Sequence, residues 1–129
     1  MTNSKDHQKI LIVEDEADMC LVLEMILQKK NVTIDHVKKI AAAEAYVKHA
    51  APDLIVLDNY LPDGLGVNFI PFVRRFYPEV KVLMISGKDG LIKDLALQYG
   101  ADLFLLKPFS RITLLGSVES LLDARYDLV

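Results

Sequence analysis

The chain has 129 residues, enough for one domain with a core of its own. Its hydrophobic content of 52% is high enough for a sheet buried on both faces. The net charge of −3 and pI near 5.5 come with no basic stripe, only the pairs Lys29-Lys30 and Lys38-Lys39, which argues against direct nucleic-acid binding.

In chain order, Met1–Gln8 is polar and lacks the apolar stretch of a signal peptide. The first apolar run, Ile10–Val13, stops at Glu14-Asp15. Asp18–Lys30 then places Met19, Val22, Leu23 and Ile26 at helical spacing, with Asp18 as its expected cap. Cys20, the single cysteine, falls inside this helix and reads as a small core residue, not as half of a disulfide. Val32–Val37 is more polar and suits an edge strand, and Ile40–Ala50 is an alanine-rich helix closed by Pro52. Leu54–Leu57 is fully apolar and stops at Asp58. A third helical segment, Gly66–Tyr77, contains Pro71. An interior proline costs about 3 kcal/mol, so the helix is expected to start late, with Asn68 as cap and Pro71 in its first turn. Val82–Ile85 stops at Ser86, and Lys88–Tyr99 forms a helix with Gly100 as its C′ residue. Leu103–Leu106 stops at Lys107-Pro108, an X-Pro bond that could be cis. Arg111–Tyr126 carries Leu114, Leu115, Val118, Leu121 and Leu122 on one stripe behind a Ser110 cap. No stretch reaches the roughly 20 apolar residues of a membrane span, so a cytoplasmic protein is expected.

Strict strand–helix alternation predicts an α/β fold: a doubly wound, five-stranded parallel sheet between two helical layers, flavodoxin-like, with strand order 2-1-3-4-5. Ligands of such sheets sit at the carboxyl ends of the strands, where four of the runs end on Glu14-Asp15, Asp58, Ser86 and Lys107. Three carboxylates at one edge call for a hard divalent cation, and oxygen donors point to Mg²⁺. His7, His36 and His49 lie away from these ends and lack zinc spacing. Lys107 supplies a charge and Ser86 a hydroxyl for phosphoryl oxygens, while Gly87 leaves room for close approach. No glycine-rich loop follows the first run, so a nucleotide or flavin phosphate lacks its usual cradle. The simplest remaining chemistry is attack of a carboxylate itself on phosphorus.

The motifs Ile10–Glu16, Asp53–Asp58 with Leu61-Pro62-Asp63-Gly64, Val82–Gly87, and Gly100-Ala101-Asp102 leading to Lys107-Pro108-Phe109 resemble the receiver domains of bacterial two-component response regulators. The resemblance implies a receiver over residues 9–126 behind a polar tail, 1–8. It implies Asp58 as phosphoacceptor, Mg²⁺ held by the side chains of Asp15 and Asp58 and the backbone carbonyl of Tyr60, and Glu14 acting through a metal-bound water. Ser86 and Lys107 would bond the phosphoryl oxygens, with Ser86 and Phe104 forming the switch pair. The implied donor is a histidine kinase or a histidine phosphotransfer protein. The implied output face is helix 4, strand 5 and helix 5, where Ile92, Leu95 and Tyr99 lie at helical spacing and a homodimer would form. Such a domain is a phosphoacceptor and no conventional enzyme, with at most self-phosphorylation from small donors and self-dephosphorylation.

Departures from the commonest pattern are Tyr60, Lys88, Phe104 in place of a tyrosine, and Pro71. The chain stops after the fifth helix. It reads either as a stand-alone receiver or as the front of a longer regulator with an output domain or target protein. Ala17 removes the second aspartate of a haloacid-dehalogenase-type phosphatase, and Tyr60 that of a toprim-type metal site. The remaining alternative is a degenerate receiver acting as a protein-docking module.

Overall fold

The computed structural model describes residues 7–87 and 90–127. Five strands, β1 (Gln8–Val13), β2 (Val32–Val37), β3 (Leu54–Asp58), β4 (Lys81–Ser86) and β5 (Leu103–Leu106), pair in parallel in the order β2-β1-β3-β4-β5. The expected 2-1-3-4-5 sheet is therefore present. Between the strands run α1 (Ala17–Leu27), α2 (Ile40–His49), α3 (Ile70–Phe76) and α4 (Gly90–Tyr99), and α5 (Arg111–Asp127) closes the fold.

Period-two alternation divides the strand side chains between two cores. Leu11, Val13, Ile55, Leu57, Val82 and Met84 pack under α2, α3 and α4. Ile10, Ile12, Leu54, Val56, Leu83 and Ile85 pack under α1 and α5. Because β1, β3 and β4 are buried on both faces, their sequences are continuous apolar runs. β2 is an edge, which explains its polar Thr33, Asp35 and His36.

Register decides what meets at the upper edge. Val13 pairs with Leu57, Leu57 with Met84, and Met84 with Phe104. The residues that follow, Glu14 and Asp58, are level with each other. At the lower edge two carboxylates replace missing ladder partners: Asp53 Oδ2 accepts from Lys9 N–H (2.8 Å), and Asp102 Oδ2 from Val82 N–H (2.8 Å).

Several helix boundaries follow local signals. Ser110 Oγ accepts from Thr113 N–H (3.0 Å), the expected N-cap bond. Gly100, at φ +116°, closes α4: Ala101 N–H reaches Ala96 O (2.9 Å) and Gly100 N–H reaches Leu97 O (3.1 Å). These are the paired bonds of a Schellman motif. Others differ. α1 begins at Ala17 with Glu16 as N-cap and no side-chain cap bond; Asp18 sits in the first turn, where its charge favours the helix dipole. The third helical segment is split into a 3₁₀ turn, Gly66–Phe69, and α3, which starts at Ile70 with Pro71 at its second position. The late start holds, but Asn68 lies inside the 3₁₀ turn and caps nothing. Lys88, the expected start of α4, falls outside the described residues.

Gly100 cannot carry a side chain for two reasons. Its φ is left-handed, and a Cβ would stand 2.4 Å from Arg74 Cγ. Arg74 cannot step aside freely, because its guanidinium is held by Pro78 O, Val80 O and the Asp102 carboxylate. Gly100→Ala is expected to destabilise the fold by about 1–3 kcal/mol, read as a lower urea midpoint with an unchanged slope.

Candidate functional site

The upper edge brings three charges into one buried group. Glu14 (1% exposed) follows β1 and Asp58 (6% exposed) ends β3. Lys107, which follows β5, lies between them, its Nζ 3.3 Å from Glu14 Oε1 and 3.2 Å from Asp58 Oδ1. The other Glu14 oxygen, Oε2, accepts from Glu16 N–H (3.1 Å), and the backbone N–H groups of Asn59 and Tyr60 donate to the Asp58 carboxylate.

Burial nevertheless wins for both acids. Desolvation pushes the Glu14 and Asp58 pKa values above the ordinary carboxylate range, against the pull of Lys107 and the backbone donors. For Lys107 the balance is opposite. Burial alone would lower its pKa, but the Asp58 and Glu14 charges together raise it. A carboxylate with a raised folded pKa contributes its stability below the unfolded value, about 4. That contribution is lost as pH rises through the folded value. The charged form of each acid is therefore disfavoured by the fold. Lys107 has the same sign in a different window: its stabilisation is complete below the ordinary lysine value, about 10.4, and is lost only as pH rises above it.

An open cleft of about 310 Å³ lies over this group, lined by Glu14, Asp15, Glu16, Asp58, Tyr60, Gly87 and Lys107. Asp15 is exposed and Tyr60 is 45% exposed at its rim. Of the expected site residues, Glu14, Asp15, Asp58, Tyr60 and Lys107 thus share one cleft. Ser86 is fully buried at the end of β4, beside the cleft residue Gly87, and its carbonyl accepts from Lys107 N–H (2.8 Å). The Lys107-Pro108 peptide is cis. Phe104 is half-buried and packs with the α2–α3–α4 core; it lies on β5, three residues before the cleft lysine. Cys20 is buried as expected, its thiol donating to Glu14 O (3.4 Å), and desolvation with the nearby Glu14 charge pushes its pKa to about 11.

The loop after Asp58 holds residues whose roles the sequence did not reveal. Tyr60–Leu61 pairs with Gly64–Leu65 as a short antiparallel ribbon. Asn59 is fully buried; its backbone carbonyl accepts from Gly66 N–H (2.7 Å) and its side-chain Oδ1 from Val67 N–H (3.0 Å). Gly66 approaches so closely that a Cβ there would stand 2.1 Å from the Asp58 carbonyl oxygen. Asp63 reaches across to α2 and accepts from the N–H groups of Ile40 (2.8 Å) and Ala41 (2.9 Å), which lower its pKa. The paired glycines Gly64 and Gly66 were the available signal for this tight approach.

Among the described residues no three acidic, histidine or cysteine side chains form a metal cage. Of the four acidic residues lining the cleft, Asp15 and Asp58 stand with the Tyr60 main chain beside open space for water and a ligand. Such an oxygen-only, incomplete set suits Mg²⁺ and suits neither zinc nor a soft metal. Next to a buried carboxylate and a lysine, it can accept an anion that arrives with a divalent cation. Among the described residues no helix is long and apolar enough to cross a membrane.

Known proteins match the chain over most of its length. The family model of the response regulator receiver domain matches residues 10–119. The alkaline phosphatase synthesis transcriptional regulatory protein SphR of Synechococcus elongatus is 34% identical over 124 residues; the match takes in 88% of this chain and 48% of SphR, so the chain spans about half of that relative. The receiver domain of NtrX from Brucella abortus superposes with a TM-score of 0.81 at 29% identity, covering 88% of this chain and 97% of that one. The signal receiver domain of a Luxo repressor protein from Vibrio parahaemolyticus gives 0.85 at 25% identity, covering 95% and 94%. The fold, the strand-end motifs and these matches agree, and the chain belongs to the response regulator receiver domain family of two-component signalling.

Proposed function

We propose that this receiver, over residues 9–126, accepts a phosphoryl group on Asp58 in a Mg²⁺-dependent reaction and passes the signal through α4, β5 and α5. The observation that carries the reading is Lys107 Nζ standing within 3.3 Å of both Glu14 and Asp58 at the floor of an oxygen-lined cleft. Such a group binds a dianion only if a further cation joins it.

Asp15 and Asp58 would hold Mg²⁺ with their side chains and Tyr60 with its carbonyl, Glu14 acting through a water. When bound, Mg²⁺ neutralises charge on the phosphoryl oxygens. The protein's part is positioning. The Asn59 and Tyr60 N–H groups orient the Asp58 carboxylate, one oxygen of which attacks phosphorus while the bond to the donor's imidazole nitrogen breaks. The imidazole leaves neutral after taking a proton. Lys107 then follows the charge from the carboxylate to a phosphoryl oxygen, and Ser86 donates its hydroxyl to another.

The donor is a histidine kinase or a histidine phosphotransfer protein. Closure of Ser86 on the phosphoryl group would let Phe104 turn inward. Phe104 has no hydroxyl, so packing alone sets its rotamer. The surface this would alter already exposes apolar side chains: Leu91, Leu97, Tyr99, Leu106 and Ile112, the last 82% exposed. Ile92 and Leu95 instead pack inward on the core. Regulation of transcription, as in the name of SphR, is the proposed output of a longer regulator containing this domain.

Incubation with acetyl phosphate, followed by intact mass, tests the acceptor. The wild-type chain should gain one phosphoryl group only with Mg²⁺ present, and Asp58→Asn should gain none. Equal labelling of the two would overturn the assignment. With the beryllofluoride analogue bound, amide shifts in α4, β5 and α5 and the sedimentation coefficient should change; if both stay fixed, the switching face is wrong.

Stability gives an independent check. Without Mg²⁺ at pH 7, Asp58→Asn removes a buried charge and should raise stability by about 0.5–2 kcal/mol. The gain should shrink as pH falls toward 4, where the wild-type carboxylates take up protons. Mg²⁺ at a hundred times its Kd should stabilise the wild-type chain by about 2.7 kcal/mol, and Asp15→Asn should abolish most of that thermal shift.

A further inference from the structure

Asn59 is an odd residue for its place. It is fully buried beside the apolar core that holds Val67, Leu57 and Phe69, and its Nδ2 has no hydrogen-bond partner among the described residues. An apolar residue suits those surroundings and leaves no donor unpaired. Buried amides left half-satisfied lower stability and need a reason. The other half of this amide supplies one.

Asn59 makes three bonds that converge on the acceptor loop. Its backbone N–H donates to the Asp58 carboxylate. Its backbone carbonyl takes Gly66 N–H at 2.7 Å, and its Oδ1 takes Val67 N–H at 3.0 Å. Two successive donors at the start of the 3₁₀ turn are thus clamped by one residue. Gly66 seats against the Asp58 carbonyl, where a Cβ would fall 2.1 Å from the oxygen. The peptide planes on both sides of Asn59 are fixed by these contacts. Those planes set the N–H groups aimed at the Asp58 carboxylate and the direction of the chain into Tyr60.

We propose that Asn59 is the positioning residue of the acceptor site: its side chain clamps the 3₁₀ turn and thereby fixes the Asp58 carboxylate and the Tyr60 carbonyl for the cation and the phosphoryl donor. This rests on the reading of Asp58 as a Mg²⁺-dependent phosphoacceptor. Asn59 touches neither ligand and acts through its neighbours, as outer-shell partners do around metal sites.

The test is Asn59→Ala, which fits the space without overpacking it and lacks the acceptor. Three quantities are measured on it and on wild type: urea stability, the Mg²⁺ Kd from amide NMR shifts, and the acetyl phosphate labelling rate. The expected result is a folded variant whose Mg²⁺ Kd is about tenfold weaker and whose labelling at saturating Mg²⁺ is about tenfold slower. A purely structural role would move stability and leave both ratios alone, and a folded variant with wild-type Kd and rate overturns the proposal. Should the variant fail to fold, the wild-type chain decides. The Val67 amide and the Asn59 side-chain NH₂ should shift on Mg²⁺ addition with the same Kd as the Tyr60 amide, and their standing still overturns the proposal. A wild-type chain that neither binds Mg²⁺ nor takes up phosphate would instead overturn the underlying phosphoacceptor reading.

Discussion

Two carboxylates and one ammonium share the floor of an open cleft above the sheet, and with both acids ionised their sum is one negative charge. Glu14 and Asp58 share a single cation, Lys107, whose ammonium lies within 3.3 Å of both. The arrangement requires three strands to end level with one another, which the β1–β3–β4–β5 register enforces. The lysine is a tethered monovalent cation. A free sodium or potassium ion brings no more charge than the one already present, whereas a divalent ion does.

The two ends of the sheet use the same residue type differently. Below, Asp53 and Asp102 accept backbone N–H groups and finish the ladder. Above, Glu14 and Asp58 are held together by a cation and left short of full compensation. Carboxylates complete the ladder at one edge and crowd around a cation at the other, and the apolar strands between them transmit the register.

How much of this was legible in the sequence depended on range. Strands buried on both faces announce themselves as continuous runs, and Ser110 and Gly100 act within a few residues of where they stand, so these could be read directly. The gathering of Glu14, Asp15, Asp58 and Lys107 followed from strand ends once the order was set. Asn59 and Gly66 were missed because their contact joins two parts of one loop through backbone atoms, which leaves no periodic pattern. Asp18 looked like a cap by type, but the chain enters α1 two residues earlier, at Glu16. Pro71 was placed correctly in a first turn, while the 3₁₀ turn before it depends on Asn59 and could not be seen from proline chemistry.

Asp63 has a consequence of a different kind. Its carboxylate joins the acceptor loop to α2 through the main-chain N–H groups of Ile40 and Ala41. The bond is therefore blind to the side chains of that helix. Every residue except proline presents the same donor, so the exposed face of α2 can change its chemistry freely while the loop beside Asp58 keeps its place.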